Sequence, residues 1–300
     1  MRVIVTGAAG FVGRAVLARL REAHDVVATD LHLPAGVAGI AGDLAERGFA
    51  QRLLRHGCDA VLYLATVPGG AAEAAPERAW RVNVEAVRRL ADAVVARAPG
   101  ARFVFASSIA VFGDSEPAGV DDDTPLAPRL LYGAHKAITE TWLATLSRRG
   151  ALDAVALRLS GVVARPADDG GLKSAFMSNV FHAIAANRPF TLPVSPDATV
   201  WLTSAECAAR NLAHGLRVTA SLPESRAVTL PALRITMADL VTAIGRHTGH
   251  QPQIRYARDA ALDAAFARLP QLATDAADAL GFVHDGDLDS LVARALGDGS

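Results

Sequence analysis

Cysteine is almost absent: Cys58 and Cys207 are the only two in 300 residues. Two thiols cannot build a disulfide framework, so a chain held by its core in a reducing cytoplasm is expected. No apolar run reaches the roughly 20 residues of a membrane span. Met1-Arg2 leads directly into Val3-Ile4-Val5, too short a lead for a signal peptide. An excess of charge is lacking as well, since 30 basic residues stand against 31 acidic ones. With no surplus cations for phosphates, a general nucleic-acid binder is excluded. Lysine is scarcer still: of the 30 basic residues, only Lys136 and Lys173 are not arginine. Where arginine fills nearly every cationic position, a surviving lysine points to work that needs a compact ammonium with a movable pKa. What the chain does have is apolar material, 51% of its residues. A chain of this length buries about 70–75% of its unfolded surface.

Two periods alternate in the first half. Short β-branched runs at Val3–Thr6, Val26–Asp30, Ala60–Ala65, Arg102–Ser107 and Ala154–Leu159 are separated by helical stretches, chiefly Phe11–Arg21, Ala72–Arg97 and Leu130–Arg149. Continuously apolar strands alternating with helices predict an α/β fold, a doubly wound parallel sheet covered on both faces. A further short strand is expected at Val37–Ala41. After Arg165 the pattern loosens into a Pro-, Asp- and Gly-rich loop, with helices expected at Lys173–Ala186, Ala205–Val218 and Met237–Thr248.

Val3-Ile4-Val5-Thr6-Gly7-Ala8-Ala9-Gly10-Phe11-Val12-Gly13 reads as a strand, a glycine turn and a helix start. Gly7 permits the tight turn, Gly10 lets the backbone approach a pyrophosphate, and Gly13 lets helix and strand pack closely. The helix start then offers amides to the anion, placing Gly7, Ala9, Gly10, Phe11 and Val12 at a dinucleotide. Asp30, about 20 residues on, suits the ribose hydroxyls and repels a 2′-phosphate, which favours NAD over NADP. Gly42-Asp43-Leu44 follows the expected third strand; Asp43 either reaches the adenine or only caps the next helix. The chain therefore divides into an NAD-binding Rossmann domain over 1–164 and a smaller substrate lobe over 165–300, with part of 199–230 packing back on the first domain.

Tyr132 and Lys136 lie four apart in a helical stretch and share one face. Ser107 and Ser108 end an apolar strand, and strand ends in such sheets face the ligand crevice. A phenol, an ammonium and a hydroxyl there suit proton transfer at a carbinol: the ammonium favours the phenolate and the hydroxyl positions the substrate oxygen.

Thr6–Gly13, Ser107-Ser108 and Tyr132-Gly133-Ala134-His135-Lys136 together resemble the extended short-chain dehydrogenase/reductases of the NAD-dependent epimerase/dehydratase type. The resemblance implies catalysis by Ser108, Tyr132 and Lys136. It also implies Leu44, Leu64, Ala65, Asn83, Tyr132 and Lys136 at the cofactor, with Thr66, Ser107, Ser108 and Tyr132 at the substrate, and a homodimer joined through its two long helices. Two positions depart from the family pattern: Ala65-Thr66 replaces a double alanine, and Asn83-Val84-Glu85-Ala86 replaces Asn-x-Gly-Thr. A further set, including Val120–Thr124, Ala156–Leu159, Arg165-Pro166 and Trp201–Ser204, resembles the subgroup that oxidises the 2-hydroxyl of D-erythronate with NAD.

Related dehydratases carry Asp-Glu after the catalytic hydroxyl residue, where this chain has Ile109-Ala110, which cannot do acid–base work. A nucleotide-sugar epimerase stays as the alternative, although its sugar lobe is usually longer than the stretch after Arg165. A non-catalytic sensor on the same fold would typically have lost Tyr132 or Lys136. His247 and His250 have no acidic or cysteine partner close in sequence, so no metal is expected; His135 is expected to point away from the catalytic face. A small hydroxy acid needs a cation for its carboxylate, and the residues for this are Arg165, Lys173, Ser174, Ser178 and Asn179.

Overall fold

A computed structural model of the chain describes residues 1–113, 119–166, 174–266 and 268–297. The β-branched runs become six strands: β1 (Arg2–Thr6), β2 (Asp25–Thr29), β3 (Ala60–Tyr63), β4 (Arg102–Ser108), β5 (Asp153–Leu159) and β6 (Ala227–Thr229). They form one sheet in the order β2-β1-β3-β4-β5-β6, with every neighbouring pair parallel. β3 is buried along its whole length, as a strand covered on both faces must be. The helices that position the site are α1 (Phe11–Leu20), α2 (Ala86–Arg97) and α3 (Leu131–Arg148). The chain leaves β1 towards β2 and then returns to its other side as β3. The ends of β1 and β3 are thus the switch point at which such sheets bind ligands.

Two expectations about elements are corrected. Val37–Ala41 is not a strand: only Gly39 makes a bridge, to Ala28, and Ile40 N–H donates to the Ala28 carbonyl at 2.9 Å. The stretch Ala72–Arg97 is not one helix. It breaks into Gly69–Ala74, Pro76–Trp80, a π-helical turn at Arg81–Glu85 and α2. Pro76 explains the first break, because a residue before proline avoids the helical region, and Ala75 sits at φ −139, ψ 71. The helix expected at Lys173–Ala186 runs from Phe176 to Ala185, and Lys173 lies outside the described residues.

The chain has two compact units. The first is Met1–Gly113, Pro125–Leu159 and Ala209–Thr229. The second comprises the described residues of Asp114–Thr124, Ser160–Ala208 and Leu230–Ser300. The second unit has a strand at Thr199–Ser204, parallel to Gly161–Val163 and antiparallel to Leu233–Thr236. Phe181, Val200, Leu240 and Ile244 belong to its core. Its buried Asp285 carboxylate accepts from Ser204 Oγ at 2.6 Å, Ser204 N at 2.9 Å and Thr203 Oγ1 at 3.1 Å, and pairs with Arg294.

Candidate active site

The glycine loop is shaped by contact with the end of β3. Gly7 has φ +66, and a Cβ on it would stand 2.7 Å from the Ala65 amide nitrogen. The Leu64 and Ala65 amides both donate to Thr6 Oγ1, at 3.1 and 3.2 Å, so the two strand ends are tied together. Asp30 completes the cradle: its carboxylate accepts from the Ala9 amide at 2.9 Å and the Leu31 amide at 2.7 Å. α1 has Gly10 at its N-cap and no side-chain cap, so no side chain competes for the Phe11 and Val12 amides. An uncapped helix start behind a loop of glycines and alanines fits a diphosphate. Asp43 Oδ1 accepts from Ala45 N at 2.8 Å, which is a turn contact, and Leu44 is buried beside it.

Lys136 is buried, and its ammonium donates to the Ala106 carbonyl at 2.7 Å. It stands 4.5 Å from the Phe105 ring centre and 5.4 Å from that of Tyr132. Burial, opposed by the Glu140 carboxylate, brings Lys136 down to about 7. Tyr132 packs against the small cluster of Val67, Ala72 and Ala79. Ser108 ends β4, and its Oγ accepts from Ala110 N at 3.2 Å. Gly133 explains how α3 comes so near that strand end, since a Cβ there would lie 3.0 Å from Ala110 C and Pro128 Cβ. Tyr132, Lys136 and Ser108 are therefore brought to one strand end, Lys136 binding two residues before Ser108 and Gly133 packing two residues after it.

Asn83 sits in the π-helical turn, a local widening that often marks functional positions. Its side chain is committed to the loop after β3, accepting from Val67 N at 2.7 Å and Thr66 Oγ1 at 3.1 Å and donating to Val67 O at 2.9 Å. Its carbonyl accepts from Thr139 Oγ1 at 3.3 Å. His135 is buried near it, with its ring edge-on to Trp80 at 5.6 Å. Burial holds His135 below its usual pKa; Glu73 opposes this and Lys136 adds to it. Ser107, one of the residues expected at the substrate, is buried, and its hydroxyl donates to Glu140 at 2.5 Å. Sequence reasoning missed Glu140 and its partner Arg158. The usable signals were a carboxylate four residues after Lys136 and a lone charge inside an apolar strand.

In the second unit, Arg165, Ser174, Ser178 and Asn179 line one depression. Ala164 has φ 55, uncommon for a residue with a side chain, and turns the chain into Arg165. Arg165 Nε donates to Val162 O at 3.1 Å, and its carbonyl accepts from His182 Nε2 at 2.5 Å.

Residues 3–202 match the sequence model of the NAD dependent epimerase/dehydratase family. The chain belongs to this family. It is accordingly an NAD-dependent enzyme of the extended short-chain dehydrogenase/reductase type, and its six-stranded parallel sheet is a Rossmann-like fold. A D-erythronate dehydrogenase from Cupriavidus necator is 31% identical, covering 99% of this chain and 98% of that protein. One from Haemophilus influenzae is 27% identical, covering 99% of each. A crystal structure of a nucleoside-diphosphate-sugar epimerase from Agrobacterium tumefaciens is similar with a TM-score of 0.90 and 28% identity, over 100% of this chain and 94% of that one. Among the described residues, no helix is long and apolar enough to cross a membrane.

Proposed function

We propose that this family member is a dehydrogenase that oxidises the 2-hydroxyl of a small sugar acid such as D-erythronate to the 2-oxo acid, with Tyr132 as general base. The observation that carries the reading is end-to-end likeness to two D-erythronate dehydrogenases in a chain that keeps Tyr132 and Lys136 on one face of α3. Tyr132 takes the carbinol proton, Lys136 stabilises the phenolate that receives it, and Ser108 donates to the substrate oxygen. The chemistry that bound NAD would supply is a hydride acceptor for the carbinol carbon. Gly7, Ala9, Gly10, Phe11 and Val12 hold its diphosphate, and Asp30 takes the ribose hydroxyls and rejects a 2′-phosphate. The NAD-binding part is assigned to 1–164 and the substrate part to 165–300, except that Ala209–Thr229 belongs with the first part and supplies its strand β6.

The carboxylate of the acid is assigned to Arg165, with Ser174 and Asn179 beside it. Lys173 stays a second cation for this role from sequence alone. The bond to the Val162 carbonyl and the bond from His182 hold Arg165 in one orientation, and a guanidinium binds a carboxylate with two parallel bonds. A nucleotide-sugar epimerase is the second reading, favoured by the likeness to the Agrobacterium enzyme. Leu131, Ile138 and Trp142 on α3 are exposed, a face that suits a homodimer; the proposed compartment is the cytoplasm.

D-erythronate compared with erythritol, the same carbon skeleton without the carboxylate, tests the substrate class. The acid should be preferred, and Arg165→Ala should lower kcat/KM for the acid about 10- to 100-fold, the loss of a charge-assisted bond, while leaving the polyol rate unchanged. Equal use of acid and polyol would mean that the carboxylate is not recognised.

A further inference from the structure

Ser107, Glu140 and Arg158 take no part in the proton transfer above, yet they lie at the same strand end and are buried, at 2%, 4% and 5% exposure. Ser107 Oγ donates to Glu140 Oε1 at 2.5 Å. Arg158 on β5 donates through Nε to Oε1 at 3.1 Å and through Nη2 to Oε2 at 2.8 Å. Its Nη1 reaches Thr229 Oγ1 at 3.4 Å, and its guanidinium carbon stands 5.0 Å from the Phe112 ring centre. Glu140 follows Lys136 by one turn of α3. Two consecutive residues of β4, Ala106 and Ser107, are thus each gripped by α3, the first by Lys136 and the second by Glu140. Ser108 comes next.

A buried ion pair is a poor device for stability alone, because desolvation offsets most of its attraction and an apolar pair does as well. This pair stands where the register of α3 on β4 decides the placement of Ser108 and Lys136. We propose that Ser107, Glu140 and Arg158 are positioning residues that hold that register, with the Glu140 carboxylate one turn of α3 from Lys136. The inference rests on the reading of Tyr132 and Lys136 as the proton-transfer pair.

The groups around Lys136 are few. α3 brings Tyr132, His135 and Glu140; β4 brings the Ala106 carbonyl and the Phe105 ring; β5 brings Arg158 by way of Glu140; the π-helical turn brings the neutral Asn83. Among the described residues, the Glu140 carboxylate opposes the effect of burial on Lys136. With Glu140 neutral, Lys136 loses its proton more easily at neutral pH. The phenolate is then less stabilised, and the acidic limb of kcat/KM moves to higher pH.

The test uses Ser107→Ala, Glu140→Gln, Glu140→Asp, Glu140→Gln/Arg158→Met and Tyr132→Phe in the full chain. Melting temperature, NAD affinity by calorimetry, kcat and the pH profile are measured. The phenolate of Tyr132 is also titrated by ultraviolet absorbance in the ligand-free protein, as the difference from Tyr132→Phe. Ser107→Ala should lower kcat about tenfold with NAD affinity and pH profile unmoved, the size of a misplaced hydrogen bond. Glu140→Gln should move the acidic limb and the phenolate titration up by about one pH unit, and Glu140→Asp should bring both most of the way back. The double variant removes both charges, so it folds even if Glu140→Gln does not, and it should keep the shift. A double variant with wild-type kcat and profile makes the pair merely structural and overturns the proposal. If Tyr132→Phe turns over like wild type, the proton-transfer reading fails by itself; the ligand-free titration still shows whether Glu140 governs the Tyr132–Lys136 pair.

Discussion

Tyr132→Phe should leave a folded protein with wild-type affinity for NAD and about 10²- to 10⁴-fold less turnover, the span typical of a positioned proton-transfer group. The substitution removes one oxygen and keeps the ring, which is what packs against Val67, Ala72 and Ala79. The Lys136 ammonium keeps its bond to the Ala106 carbonyl, so the strand end is undisturbed. Steady-state kinetics, with calorimetric NAD binding as the control, separate the two effects. A variant within threefold of wild type would mean that another group takes the proton.

Gly7→Ala should nearly abolish NAD binding and destabilise the fold. The left-handed backbone at Gly7 is disfavoured by about 1–2 kcal/mol for any residue with a Cβ. The added methyl would also lie 2.7 Å from the Ala65 amide nitrogen and 2.9 Å from Leu64 C, which are backbone atoms that cannot swing aside. Overpacking of that kind costs a further ~1–3 kcal/mol. The relief available is to part the ends of β1 and β3, and that widens the diphosphate cradle. Melting temperature and calorimetric affinity should therefore fall together, the affinity by more than tenfold. Unchanged NAD affinity would place the diphosphate elsewhere.

The glycine loop, β1–β5 and the Tyr132/Lys136 face were legible in the sequence because each is a local pattern: a short apolar β-branched run, a period of 3.6, or fixed glycine spacing. Features that depend on distant partners were not. Val37–Ala41 has a strand-like composition, yet the chain there passes so close to Ala28 that a Cβ on Gly39 would lie 2.9 Å from Ala28 C, and only one bridge forms. The break at Pro76 was readable from proline chemistry. The π-helical turn at Asn83 was not, because it answers to Thr66, Val67 and Thr139 from elsewhere in the chain. The family likeness singled out Ser108 for catalysis but put its neighbour Ser107 at the substrate as well. Strand alternation sends their side chains to opposite faces, so one goes to Glu140 and the other stays at the strand end.

The central claim is net oxidation of a sugar acid, and continuous absorbance of NADH during reaction with NAD and D-erythronate tests it most directly. NADH should accumulate over many turnovers, one for each acid oxidised, and about 10²- to 10⁴-fold more slowly with Tyr132→Phe. No net NADH from D-erythronate, together with interconversion of a nucleotide-sugar by the same protein, would contradict it and establish the epimerase reading.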